Sequence, residues 1–254
     1  MNKFLRLYTL ILREQKRFST VWTQTLVAPV VTSALFLTVF SLVFSSRRIS
    51  DSSDNYMIFI APGILMMSVI QNSFANTSSS IMISKIQGNI IDTLMSPLSP
   101  LETVLGYMIG GMIRGIIVAA AVMIVIFPII GLVPEKPLIM LLFIVVASAE
   151  LALLGIVAGI VSQKFDHLQA ITNFVVTPLS FLSGTFYSIK LLPAPFDLIS
   201  SYNPIFFIID GFRYGAIGVS DGNIWFNLIC SIIICLLLIF ISGRWFSTGY
   251  RLKT

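Results

Sequence analysis

Apolar residues run along this chain in long blocks instead of alternating with polar ones. Residues 18–46 and 55–84, 29 and 30 residues long, carry no charged side chain. About 18 uncharged, mostly apolar residues are enough for a helix to cross a bilayer. The blocks predict six spans, at roughly 25–45, 57–79, 103–128, 138–162, 168–188 and 223–243. The expected fold is therefore an all-α polytopic membrane protein. Pro29, Pro62, Pro128 and Pro178 fall in or near span ends, where neighbouring helices compensate a lost backbone bond.

The first 24 residues follow a different pattern. Phe4, Leu5, Tyr8, Ile11 and Leu12 recur at helical spacing, with Lys3, Arg6, Arg13, Lys16 and Arg17 between them. Such a segment predicts an amphipathic helix lying in the headgroup plane. Residues 1–24 are read as this interfacial helix and residues 25–254 as one transmembrane domain. A cleaved signal peptide is not expected, because 25–45 is too long for a signal core and no convincing small-x-small site follows.

Composition agrees with the blocks. The chain has 254 residues, 56% of them hydrophobic and only 11% charged, with a mean hydropathy of +0.95. A soluble domain carries about 25% charged residues, so too few charges are present to cover a soluble surface. The net charge of +5 needs no nucleic-acid partner. With the N-terminus inside, ten Lys and Arg fall on the cytoplasmic side and five outside, among them Arg47, Arg48 and Lys136. That bias predicts both termini in the cytoplasm.

Two connections are long enough to carry function. The cytoplasmic one, 80–102, includes Lys85-Ile86-Gln87-Gly88-Asn89-Ile90-Ile91-Asp92-Thr93-Leu94-Met95-Ser96-Pro97. Ile86, Ile90 and Leu94 lie four apart, predicting an apolar helical stripe that Pro97 ends. Such a helix would lie on the membrane or enter a groove on a cytoplasmic partner; spacing leaves both open. The external connection, 189–222, is apolar and rich in Pro and Gly, suggesting short re-entrant or interfacial helices. Within it Asp210 and Arg213, three apart, are placed to pair on one helical face.

Two charges fall inside predicted spans, Arg114 and Glu150. Each alone at a helix centre costs about 2.5–3.5 kcal/mol on insertion scales. Antiparallel neighbours joined by a short loop would bring the two to one depth. They are expected to form an intramembrane ion pair, either fixing the packing of two spans or lining a substrate path.

Other chemistry is missing from the sequence. A phosphate-binding loop needs a Lys directly after a glycine, and none of the seven lysines follows one. One histidine, His167, and two cysteines, Cys230 and Cys235 in one apolar run, assemble no zinc site. No metalloprotease motif or pair of intramembrane aspartates is present, so no catalytic residue, bound cofactor or metal is expected and the chain is not read as an enzyme.

Taken together, the chain resembles the membrane subunit of type-2 ABC transporters, the ABC-2 permeases of bacterial exporters. The resemblance is carried by the amphipathic first helix, the six spans, the loop around Gly88–Pro97 and an external signature. That signature comprises Gly184, Phe186, Pro193, Asn203, Pro204, Asp210 and Arg213. Val27-Ala28-Pro29, Ala61-Pro62-Gly63 and Gly211-Phe212-Arg213-Tyr214-Gly215 make the chain similar to small permeases of polysaccharide, nodulation-factor and drug export. The resemblance implies a bacterial inner-membrane protein that pairs with a second copy of itself and with two separate P-loop ATPase subunits, which bind ATP and Mg. It further implies an ATPase-coupling loop at Lys85, Ile86, Gly88, Asn89, Ile90, Asp92, Leu94 and Pro97. Members move polysaccharides, lipid-linked glycans, drugs and other hydrophobic molecules. The alternative is an ion-coupled secondary carrier, which would want an unpaired intramembrane carboxylate and often an internal repeat; no repeat is visible.

Overall fold

The structure is a computed structural model that describes residues 3–45 and 53–252. Arg47, Arg48 and Lys253, used above for orientation, lie outside the described residues. The described elements are helical. In chain order they are α1 (Lys3–Ser19), α2 (Ala28–Ser45, entered through a π turn at Thr23–Val27), α3 (Ser53–Ile86), α4 (Ile90–Met95), α5 (Pro100–Ile130), α6 (Pro137–Val161), α7 (Phe165–Ile171), α8 (Thr177–Leu182), α9 (Phe196–Ser201), α10 (Pro204–Ile217) and α11 (Ile224–Thr248).

Among the described residues, five helical segments are long and apolar enough to cross a membrane: Thr23–Leu42, Tyr56–Ile86, Pro100–Ile130, Pro137–Val161 and Ile224–Thr248. Four of them match the predicted first, third, fourth and sixth spans within a few residues. The second outruns its predicted end, because the polar residues after Asn76 find partners. Thr77 Oγ1 donates to the carbonyl of Ala152 at 2.6 Å and Ser80 Oγ to Glu14 at 2.8 Å. The run expected at 168–188 is a helical segment over 165–182, divided by a π turn at Thr172–Val176. At 1.5 Å per residue it is about 27 Å long.

Local signals explain the boundaries. Ser99 and Glu102 form a reciprocal capping box at the start of α5, with Pro100 in its first turn, and Gly131 closes the helix at φ +67°. Asn203 and Asn223 cap α10 and α11 with their side-chain oxygens.

The core sits where α3, α5 and α6 meet, and glycines make that meeting close. A Cβ on Gly111 would lie 2.7 Å from the Ala152 Cβ, and one on Gly155 only 2.4 Å from the Phe74 carbonyl. Small residues let helix backbones approach where lipid supplies no hydrophobic drive for association. α10 is seated on α6 in the same way, with Gly211 against the Phe143 ring and Gly215 against the Met140 backbone. By contrast α2 and α11 present large apolar side chains outward, among them Leu35, Val39, Ile233 and Leu237, as suits a surface facing lipid.

Candidate functional site

Both described termini lie at one end of the bundle: Leu10, Ile90, Phe246 and Leu252 share one apolar cluster there. The first helix is not simply laid on a surface. Its inward face is Leu10, Glu14 and Phe18, all buried, whereas Leu5 and Tyr8 of the predicted apolar stripe are exposed. Gly106 and Gly110 of α5 make room for it. A Cβ at Gly106 would stand 2.4 Å from a Leu10 methyl, and one at Gly110 2.7 Å from the Glu14 Cβ.

Glu14 is fully buried, and its carboxylate organises a polar network. It accepts from Ser80 Oγ of α3 at 2.8 Å and pairs with Arg17 at 3.2 Å and Arg13 at 3.4 Å. Arg17 reaches α3 again, donating to the Asn76 carbonyl at 2.5 Å, to Asn76 Oδ1 at 3.1 Å and to Ser79 Oγ at 3.1 Å. Arg13 donates to Tyr107 Oη of α5 at 2.8 Å and to Thr93 Oγ1 of α4 at 3.3 Å. Arg6 donates to the Pro97 carbonyl at 2.5 Å. The first helix thus ties the short helix α4 to α3 and α5, across a cleft of about 250 Å³ lined by Arg6, Arg13, Asp92 and Thr93 among others.

The predicted coupling loop is divided. α3 runs through Lys85 and Ile86, and Gly88 at φ +76° turns the chain before α4 begins at Ile90. Ile86 and Ile90 are therefore on different helices, so the stripe Ile86–Ile90–Leu94 does not form. Ile90 is buried and Leu94 and Leu98 pack beside it, against α1 and the chain's end. The outward apolar residues are Ile86, Ile91 and Met95, the last 81% exposed, with Asn89, Asp92 and Pro97 also exposed. Lys85 is not available to a partner. Its ammonium is buried and donates to the carbonyls of Gly159, Ile160 and Ser162 at 3.3, 2.8 and 2.5 Å, closing the end of α6.

The expected Arg114–Glu150 ion pair is not formed. Arg114 donates to Asn72 Oδ1 of α3 through Nε at 3.3 Å and Nη2 at 2.9 Å. Glu150 is fully buried and faces α11 at Ser231 and Cys235, where neither carboxylate oxygen completes a hydrogen bond of good geometry. The reason lies in helix rotation. Gly115 of α5 meets Ser148 of α6, and Glu150 follows Ser148 by two residues. At about 100° per residue its side chain is turned away from α5.

The signature expected to be external forms a clasp at the opposite end of the bundle from the termini. Gly184, at φ +72°, offers its carbonyl to Arg213 Nη2 at 2.6 Å. The Arg213 guanidinium also lies 4.1 Å over the Phe59 ring of α3. Tyr56 Oη donates to the Phe186 carbonyl at 2.8 Å, and the Phe186 ring packs among Phe36, Phe40 and Phe181. Asn203 caps α10 and donates to the Leu179 carbonyl at 2.7 Å, with Pro204 in the first turn. Pro193 precedes α9 in a more exposed stretch.

Asp210 does not pair with Arg213 as their spacing suggested. It turns to the loop after α10, accepting from the amides of Asp221 and Gly222 at 2.8 and 3.0 Å and from Asn227 Nδ2 of α11 at 3.0 Å. Burial pushes the Asp210 carboxyl up from its ordinary range, and the two amide bonds oppose that shift. Burial likewise pulls the Arg213 guanidinium down to about 10, against the fields of Asp210 and Asp221.

Sequence reasoning missed Glu14, Asn72, Asn76, Ser80 and Tyr107. One signal was available: Glu14 is the only acid in the basic first helix. No group of three or more His, Cys, Asp or Glu among the described residues is placed to hold a metal.

The comparisons with known proteins agree with this architecture. The model of the ABC-2 type transporter family matches residues 6–217. Over 209 residues, 82% of each chain, this chain is 37% identical to the inner membrane transport permease YadH of Escherichia coli K12, and equally to that of Shigella flexneri. Over 85 residues, 34% of this chain and 33% of the relative, it is 27% identical to nodulation protein J of Rhizobium leguminosarum bv. viciae. With its membrane-crossing helices, its glycine-packed core and a family match over most of its length, the chain belongs to the ABC-2 type transporter family as a transmembrane transport subunit.

Proposed function

We propose that this chain is the permease of an ATP-driven exporter in a bacterial inner membrane. It works as a homodimer and is moved by two separate ATPase subunits, which hold the ATP and Mg. The end carrying both termini faces the cytoplasm, and the helical segment 165–182 completes a sixth span. The observation that carries this reading is the terminal-end bracket. α4 shows Ile91 and Met95 outward, while its inner face and Arg13, Arg6 and Glu14 fasten it to α1, α3 and α5. A short helix that is apolar on the outside and bonded on the inside receives a push and passes it to the spans.

The test is cross-linking in the assembled complex. A cysteine in place of Asp92 or Asn89, both exposed, is expected to link to the co-expressed ATPase in at least one nucleotide state. No link in any nucleotide state, with the complex intact, would overturn the coupling role. A reporter active only in the periplasm, fused after Thr254 and giving signal, would overturn the orientation.

The second reading is an ion-coupled secondary carrier, and Glu150, buried without an ion-pair partner, favours it. Transport that persists without any ATPase and collapses with the proton gradient would select it.

A further inference from the structure

Arg114 sits near the middle of α5 and is only half-buried. A cation at that depth does not face lipid; it faces protein or a water-filled path. Its hydrogen bonds go to a neutral acceptor, Asn72 Oδ1, and engage Nε and Nη2. Nη1 makes none among the described residues. One helical turn along α3, Asn76 holds Arg17, whose charge repels that of Arg114. The carboxylate beside them, Glu14, is already divided between Arg17, Arg13 and Ser80. Two cations, Arg17 and Arg13, therefore share that anion, and Arg114 makes no ion pair with it among the described residues. Gln71, next to Asn72, is exposed. A second copy of the chain does not supply the missing charge from its spans, because Glu150, the acid near this depth, is fully buried.

We propose that Arg114 of α5, with the charge of Arg17 of α1 nearby, forms a receiving site for the anionic headgroup, phosphate or carboxylate, of an amphipathic cargo. The guanidinium presents free N–H donors suited to such a group. Asn72 holds the Arg114 cation in place without neutralising it, whereas Arg17 is paired with Glu14 and adds its field. This inference rests on the transport role proposed above and adds the charge class of the cargo.

The test uses the full-length permease in a neutral maltoside detergent, without ATPase, titrated with dodecyl phosphate while thermal unfolding is followed. Dodecyl phosphate is expected to raise the unfolding midpoint in a saturable way, and zwitterionic dodecylphosphocholine is not. Arg114→Gln is expected to weaken the half-saturating concentration by roughly tenfold or more, and Arg114→Lys by less. Wild-type protein that responds equally to both amphiphiles would overturn the site, and that arm needs no variant to fold. So would Arg114→Gln titrating like wild type, the mark of bulk anionic surfactant on the lipid face. Inorganic phosphate protecting as well as dodecyl phosphate would overturn an amphipathic cargo in favour of a free anion. Because the ATPase is absent, a permease that binds no ATPase refutes the exporter reading and leaves this assay standing. Normal coupling together with charge-blind binding refutes this site alone.

Discussion

Glu14 of the first helix and Ser80 of the third are joined by a hydrogen bond of 2.8 Å, and the carboxylate that accepts it is fully buried. A helix that reads from its sequence as floating in the headgroups is thereby bolted to the bundle. The same carboxylate holds Arg17 and Arg13, and Arg13 reaches α4 through Thr93. These bonds join α4 to α3 and α5.

Glu14→Ala leaves Arg17 part-buried without its carboxylate and Ser80 without its acceptor. Removing one partner of a buried ionic network costs about 3–5 kcal/mol, and the exposed part of Arg13 places this case toward the low end. Thermal unfolding of the purified permease is expected to show a clear drop. Glu14→Gln, which retains an acceptor for Ser80, is expected to lose less.

Gly110→Ala tests the seat of the first helix. Its methyl would stand 2.7 Å from the Glu14 Cβ, an atom close to the backbone that cannot swing aside. The first helix must lift, so a cysteine at Leu10, buried in the native chain, is expected to gain reactivity toward a water-soluble maleimide. Unchanged labelling would show that the helix accommodates the methyl in place.

Met95→Asp and Ile90→Asp separate docking from folding. Met95 is exposed and Ile90 is buried in the cluster with Leu10 and Leu252. Met95→Asp is expected to leave the permease as stable as wild type and to reduce ATPase stimulation in the reconstituted complex. Ile90→Asp is expected to destabilise the permease by itself, since a charge placed in an apolar cluster is not solvated. Equal loss of stability in both variants would place Met95 against something other than an ATPase.

Asp210→Ala opens the clasp at the end of the bundle opposite the termini. The amides of Asp221 and Gly222 and the Asn227 side chain lose their acceptor together. Each unsatisfied donor costs about 1–3 kcal/mol where water cannot reach it. Limited proteolysis is expected to cut the chain near 218–222 far faster than in wild type. Lys85→Met, at the other end, is expected to lower stability by about 1.5–3 kcal/mol through the uncapped carbonyls of α6, without altering ATPase binding.

The positions of the membrane-crossing helices were readable in the order of residues, because burial in lipid demands about 20 consecutive apolar positions whatever the neighbours are. The capping box at Ser99 and Glu102 and the glycine stop at Gly131 were equally local, so α5 begins and ends near where the pattern puts it. What faces what was not local. The spacing of Arg114 and Glu150 in depth suggested a pair, but the rotation of α6, set by Gly115 against Ser148, turns Glu150 toward α11 and leaves Arg114 to Asn72. Asp210 and Arg213 are three apart, yet one ties down the following loop and the other the Gly184 turn. The stripe Ile86–Ile90–Leu94 was a helical pattern only while the chain stayed helical, and Gly88 at φ +76° breaks it. Periodicity determines which face of a helix is apolar. Which partner a polar side chain finds depends on how three helices close on one another, and here small residues on α5 and α6 decide that by letting the backbones meet.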